Sequence, residues 1–330
     1  MPAASEVAAA HARARQRIGL AVAAEAQRLW QQVDPARISE SWLAQLARLL
    51  VLVTGAQRAV AGRADEYLAE VLAAQGLASA AEGEAVAEAF SRVASDGRRL
   101  DGLLYRPAVT ALRGIGRGAG VDGSMQAGGY VLDMIVRTQI ADAGRAADLV
   151  ATIAQPRATG YARMLVGKSC SRCVVLAGRW YRYNAGFPRH PKCDCIHIPG
   201  RESTAGDLAT DPKVFFRSLS AAEQDRVFTV AGAEAIRLGA DIGQVVNARR
   251  GAAGLTPAGA RITAEEARAL RGGREVSRLR ARRISGQDLF VTTEGSSAKA
   301  SRLMPESILR IAGDDRAEAL RLLKRFGYLR

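Results

Sequence analysis

All four cysteines of this 330-residue chain, Cys170, Cys173, Cys193 and Cys195, fall within 26 residues. They read Cys170-Ser-Arg-Cys173, then His190-Pro-Lys-Cys193-Asp-Cys195-Ile-His197. Cysteines kept only for packing would not gather this way. A Cys-x-x-Cys turn aims two thiolates at one ion, about 2.3 Å from each, and forms half of a tetrahedral zinc site. Three pairs are open for the other half: Cys193 with Cys195, His190 with Cys193, or Cys195 with His197. His190-x-x-Cys193 repeats the Cys-x-x-Cys spacing, and Cys193 and Cys195 point to one side of a regular strand. The candidate ligands are thus Cys170, Cys173, His190, Cys193 and Cys195, with His197 in reserve, and the cofactor they imply is a structural zinc ion. Disulfides, plain buried thiols and a Cys170–His190 nucleophile are the competing readings. The nucleophile fits worst, because one reactive thiol does not call for four.

The N-terminus lacks a basic segment followed by an apolar one, so no secretory signal is expected. The most apolar stretch, residues 42–53, is interrupted by Arg48 and is shorter than the roughly 20 residues that span a bilayer. The expectation is a soluble chain made in a reducing cytosol, where thiols favour metal or chemistry over disulfides.

Charge divides the chain. Residues 1–150 carry 16 Lys+Arg and 16 Asp+Glu, whereas residues 151–330 carry 31 and 17, which holds the whole net charge of +14. Eight basic residues and no acidic one lie between 157 and 192. A second run holds Arg261, Arg268, Arg271, Arg274, Arg278, Arg280, Arg282 and Arg283. Two such runs in one half, beside a neutral other half, point to a polyanionic partner. The DNA-contacting candidates are Arg163, Lys168, Arg172, Arg179, Arg182, Arg189, Lys192, Arg278, Arg280, Arg282 and Arg283. Trp180, Tyr181, Tyr183 and Phe187 lie among them. Stacking on bases is one reading; the favoured one is the apolar core of a small metal-stapled hairpin.

Helical periodicity dominates. A helix is expected over 5–33, stopped at Asp34-Pro35, where Pro35 opens the next. Leu43, Leu46, Leu49, Leu50 and Val53 mark a buried face. A third helix is expected over 57–75, and the capping box Ser79-Ala-Ala-Glu82 starts another that runs to Val93. Glycines between 114 and 129 interrupt the pattern before a helix over 130–166. No strand alternation is visible before residue 165. Val174-Val175-Leu176, Trp180 to Tyr183 and Cys195 to Ile198 look like short strands, the last ended by Pro199-Gly200. Helices resume at the capping box Ser220-Ala-Ala-Glu223 and over 233–238 and 242–248, and Thr263 caps another. Residues 286–301 read as a loop. Pro305 opens a helix, Asp314 caps the last and Gly327 ends it. The chain is therefore mainly α, divided into a helical domain over 1–165, a Cys/His module with β character over 166–200 and a basic helical region over 201–330. It has no phosphate-binding Gly-rich loop and no defensible catalytic set.

Residues 167–178, Gly-Lys-Ser-Cys-Ser-Arg-Cys-Val-Val-Leu-Ala-Gly, and 189–197, Arg-His-Pro-Lys-Cys-Asp-Cys-Ile-His, resemble the MuF-like minor head proteins of tailed bacteriophages. So do Ser220-Ala-Ala-Glu-Gln-Asp-Arg-Val-Phe228 and its continuation over 235–250, and the ending over 302–324 is similar to versions in phages of actinobacteria. The resemblance spans about 160–330 and is weaker over the N-terminal helices. It implies a helical N-terminal domain followed by an α+β MuF-like domain carrying the Cys-rich module. It also implies a structural role in head morphogenesis at or near the portal, inside the phage head after synthesis in the host cytoplasm. The implied partners are portal or major capsid protein and packaged double-stranded DNA, with no membrane and no small-molecule substrate. Two other classes compete. A zinc-supported nuclease or toxin-like enzyme would need a histidine and a carboxylate at the cluster, where only His190, His197 and Asp194 qualify and His11 is remote. A cellular zinc-ribbon DNA-binding protein would have no place in virions.

Overall fold

The computed structural model describes residues 2–167, 169–185, 191–193, 195–203, 206, 211–248 and 305–330. Among them run α1 (Ala4–Gln31), α2 (Ile38–Ala61), α3 (Ala64–Ala73), α4 (Leu100–Leu104), α5 (Arg106–Gly116) and α6 (Val121–Ala154). Then follow β1 (Gly160–Met164), α7 (Ser171–Leu176), β2 (Trp180–Arg182), β3 (Ile196–Gly200), α8 (Pro212–Ser218), α9 (Ala221–Phe228), α10 (Val230–Arg237), α11 (Ile242–Ala248), α12 (Pro305–Ala312) and α13 (Arg316–Arg325). The chain divides into two units. One comprises Met1–Gly167, Gly178–Ala209 and Phe290–Arg330, and the other Lys168–Ala177 and Thr210–Leu289. This differs from the three consecutive segments expected: the C-terminal helices belong with the N-terminal helical bundle.

In the first unit α6 is the central rod, packed on α1, α2, α3 and α5. Small residues allow the close approach. Ala8, Ala12, Ala23 and Ala26 line α1, and Ala143, Ala147, Ala151 and Ala154 line α6. Of the glycines expected to interrupt this region, Gly118, with φ +83°, and Gly120 do lie between α5 and α6, whereas Gly114, Gly116, Gly123, Gly128 and Gly129 lie inside helices. A Cβ at Gly128 would come within 2.5 Å of the Trp30 ring and 2.9 Å of the Pro107 carbonyl oxygen. Glycine here makes room for Trp30, whose Nε1 donates to the Met125 carbonyl at 3.0 Å. Trp30 meets Trp42 edge-on at 4.9 Å.

Other elements depart from periodicity for local reasons. Pro35 does not open α2, which starts at Ile38, while the Asp34 carboxylate accepts from Ala36 N at 2.9 Å and forms a turn. α2 runs unbroken to Ala61, and α3 begins three residues later. By length and composition alone, the Ile38–Ala73 stretch could cross a membrane. Within the unit Trp42, Leu49 and Val53 of this stretch are fully buried, whereas Leu43 and Val51 are exposed. The helix expected from Ser79 does not form, apart from a 3-10 turn at Ala87–Phe90. The backbone there bonds to the end of the chain: Glu84 and Arg330 exchange N–H···O bonds of 3.2 Å, and Val86 N donates to Tyr328 O at 3.1 Å.

The sheet has the order β2-β1-β3, with both pairs antiparallel. β1 lies before residue 165, where no strand was expected. All five of its residues are buried, so no alternation could reveal it. β3 includes Pro199 and Gly200 and ends with them. Asp315, not Asp314, caps α13, accepting from Glu318 N at 3.0 Å. Gly327, with φ +73°, follows that helix.

In the second unit Val174-Val175-Leu176 is helical rather than extended, and Val174 N donates to Cys170 O at 3.1 Å. Helix α7 packs on α8 and α11. The Ser220 capping box forms, with Glu223 N donating to Ser220 Oγ at 3.3 Å. Gly239, with φ +101°, follows α10. The Thr263 cap and the 286–301 loop lie outside the described residues.

Candidate functional site

From Asp142 onward α6 is buried nearly all round, so its charged residues must be paired inside the protein. Asp142, Arg145 and Asp148 follow at intervals of three and share one side of the helix. Asp148 is fully buried. Its two carboxylate oxygens take His11 Nε2 at 3.1 Å and Arg15 Nη1 at 2.9 Å, from positions one turn apart on α1. Burial alone would raise the Asp148 pKa, but His11 and Arg15 outweigh it and hold the carboxyl below its usual range. Tyr67 of α3 stacks on His11 at 4.0 Å, and its hydroxyl donates to the His197 carbonyl of β3. Burial pushes the Tyr67 phenol well above its ordinary pKa, so it stays a neutral donor.

One turn before Asp148, the Arg145 guanidinium pairs with Asp142 at 2.9 Å. It also donates to the backbone carbonyls of Cys193 and, at 3.2 Å, of Cys195. Arg163 of β1 places Nη2 3.6 Å from Cys193 Sγ. Cys193 and Cys195 are buried in the first unit, and in the second Cys173 is buried and Cys170 half-buried. Buried thiols of this number are compatible with a metal ion such as zinc, which bonds to each thiolate at about 2.3 Å. His190 lies outside the described residues, as does Asp194. His197 is buried beside the Tyr161 ring at 4.3 Å.

The proposed DNA contacts separate into distinct environments. Arg163 is 1% exposed, which removes it as a phosphate contact: its guanidinium serves the interior beside Cys193. Lys192 pairs with Asp133 and lies over the Tyr130 ring at 4.5 Å. Arg182 is exposed and pairs with Asp314 at 3.2 Å. Arg179 is exposed and Arg172 half-buried. Lys168, Arg189, Arg278, Arg280, Arg282 and Arg283 lie outside the described residues, as does Phe187. Tyr181 stacks on Tyr161 at 5.5 Å and Tyr183 is buried, so these two rings pack inward.

Sequence reading missed Asp148, His11, Arg15 and Arg145. Their signal was present: three charged residues three apart inside an Ala-rich apolar helix.

The family model described as VG15 protein matches residues 1–222. The chain belongs to the VG15 family. Membership points to a phage-encoded protein, and the matched region holds both the Asp148 network and the four cysteines. No curated protein and no solved structure matches the chain.

Asp148→Asn leaves His11 and Arg15 facing a neutral amide and should cost about 3–5 kcal/mol. Because the folded pKa is depressed, the carboxylate's contribution is full above the ordinary value of about 4 and fades as pH falls through the folded pKa. Urea unfolding at pH 7 and at successively lower pH should therefore show the gap between wild type and variant narrowing below about pH 4. A gap independent of pH would contradict this assignment.

Proposed function

We propose that this chain is a structural minor capsid protein of a tailed phage, acting in head morphogenesis at or near the portal. The observation that carries the reading is the family match over residues 1–222, which points to a phage-encoded protein. The MuF-like resemblance of the Cys/His motif and of the C-terminal region supplies the place in the head. In this reading the helical first half docks on portal or capsid protein, and the basic half contacts packaged double-stranded DNA. The protein is structural rather than catalytic, and resides inside the head after synthesis in the host cytoplasm.

The charge asymmetry supports the DNA contact, because residues 151–330 hold the entire excess of +14. Such contact is phosphate-directed, independent of sequence and steeply dependent on salt. The full-length protein should bind unrelated double-stranded oligonucleotides with similar affinity, and log K should fall linearly with log salt. Fluorescence anisotropy from 50 to 200 mM salt would measure this, with a loss on the order of a hundredfold or more if several phosphates are engaged. No binding, or binding indifferent to salt, would remove the DNA role.

In the same reading the metal is a structural zinc ion held by Cys173, Cys193 and Cys195, with Cys170, His190 or His197 completing the set. Zinc would fix the Cys-bearing segments, and chemistry at the metal forms no part of the role. Elemental mass spectrometry of the purified protein should find about one zinc per chain. Cys173→Ser should lose the metal and lower the unfolding temperature, as a chelator should for wild type. Metal-free protein whose thermal profile ignores chelator would contradict the assignment.

A further inference from the structure

A groove of about 640 Å³ lies between α2 and the segment entering α4. Leu50 and Val51 of α2 and Leu100 of α4 supply apolar lining, and Arg58, Arg92 and Arg99 supply charge. Two of these arginines are already neutralised: Arg58 pairs with Glu88 at 3.0 Å and Arg99 with Asp101 at 2.5 Å. Arg92 has no acidic partner among the described residues.

Arg92 is also held in place. Its backbone adopts φ +64°, a conformation that non-glycine residues rarely take and that persists only where the surroundings impose it. Here the buried Gln57 imposes it, accepting from Arg92 N at 3.0 Å and donating to Val93 O at 3.1 Å. Thr54, 9% exposed, lines the same groove, and its hydroxyl has no hydrogen-bond partner among the described residues. An unpartnered buried hydroxyl is costly, and a ligand that bonds to it removes that cost. Val51 is 72% exposed and Leu43, two turns earlier on α2, is 55% exposed, so the apolar strip extends beyond the groove.

We propose that this groove docks an acidic, apolar segment of a partner protein. An aliphatic side chain would rest on Leu50 and Val51, while a carboxylate meets Arg92 and a polar group of the segment bonds to the Thr54 hydroxyl. The mixed lining selects a peptide over a phosphate backbone, which is gripped by cations and polar groups and has no use for the leucines. Charge complementarity sets the acidic character: one guanidinium without an acidic partner among the described residues, on a backbone held by Gln57, stands beside two that are paired. The proposal deepens the docking role of the helical half and rests on that reading only for the existence of a protein partner.

The probe is a labelled helical peptide of Leu and Glu on an Ala background, titrated into the full-length protein by fluorescence anisotropy. It should bind saturably. Replacing every Glu by Gln in the peptide, or Arg92→Glu in the protein, should weaken binding about tenfold or more. Val51→Asp, on an exposed position, should do the same and decides the matter if Arg92→Glu fails to give a wild-type circular dichroism melt. An unlabelled double-stranded oligonucleotide should not displace the peptide. Absence of saturable binding, equal affinity for the Gln peptide, indifference to both variants, or displacement by the oligonucleotide would each overturn the proposal. None of these outcomes depends on virions or on the DNA affinity of the basic half, so failure here is separate from failure of the head-protein reading.

Discussion

A carboxylate with no access to water dictates much of the first unit. Asp148 is tolerable inside α6 only because α1 brings His11 and Arg15 to its two oxygens. That requirement fixes the register of α1 against α6, since a slip of one turn would leave both the anion and its partners buried alone. Tyr67 stacked on His11 draws in α3, and its hydroxyl bond to the His197 carbonyl draws in β3. Four elements distant in sequence are thereby tied to one charge. A greasy interface would have allowed several registers; the ion pair and its hydrogen bonds allow one.

The same helix reaches toward the cysteines. Arg145, one turn from Asp148, holds the backbone carbonyls of Cys193 and Cys195, and Arg163 approaches the Cys193 sulfur. Two buried guanidiniums near thiols that a metal would require as thiolates form a consistent electrostatic design. Arg163 and Lys192 thus change meaning. In the sequence they belong to a basic run that suggests a polyanion, whereas in the fold Arg163 serves the interior and Lys192 answers Asp133. Charge counted along a chain overstates charge offered to a partner, and the polyanion reading rests the more on basic residues outside this cluster.

What was legible follows the physics of each signal. Amphipathic helices with exposed outer faces, such as α1, and capping chemistry, as at Ser220, can be read locally and formed where expected. The glycines of α6 misled because their role is set by Trp30, a residue almost 100 positions away. β1 was hidden because burial on both faces erases alternation. The Ser79 capping box was overruled by backbone pairing with Tyr328 and Arg330, which no local window contains. At the candidate site, the cysteine spacing was informative, and Cys173, Cys193 and Cys195 are all buried. The buried charges were not recognised, because Asp148 meets His11 and Arg15, and Arg145 meets the Cys193 and Cys195 carbonyls, only across elements far apart in sequence.

Family membership places the chain among phage-encoded proteins; residence in the phage head is the proposal to be tested. The most direct test is quantitative mass spectrometry of density-purified, DNA-filled heads from the phage that encodes it, with separated tails and the soluble lysate as comparisons. If the proposal holds, this chain is found in the heads at a fixed copy number per particle, retained after external washing and absent from tails. Its absence from purified heads, with the protein left in the soluble lysate, would contradict the account.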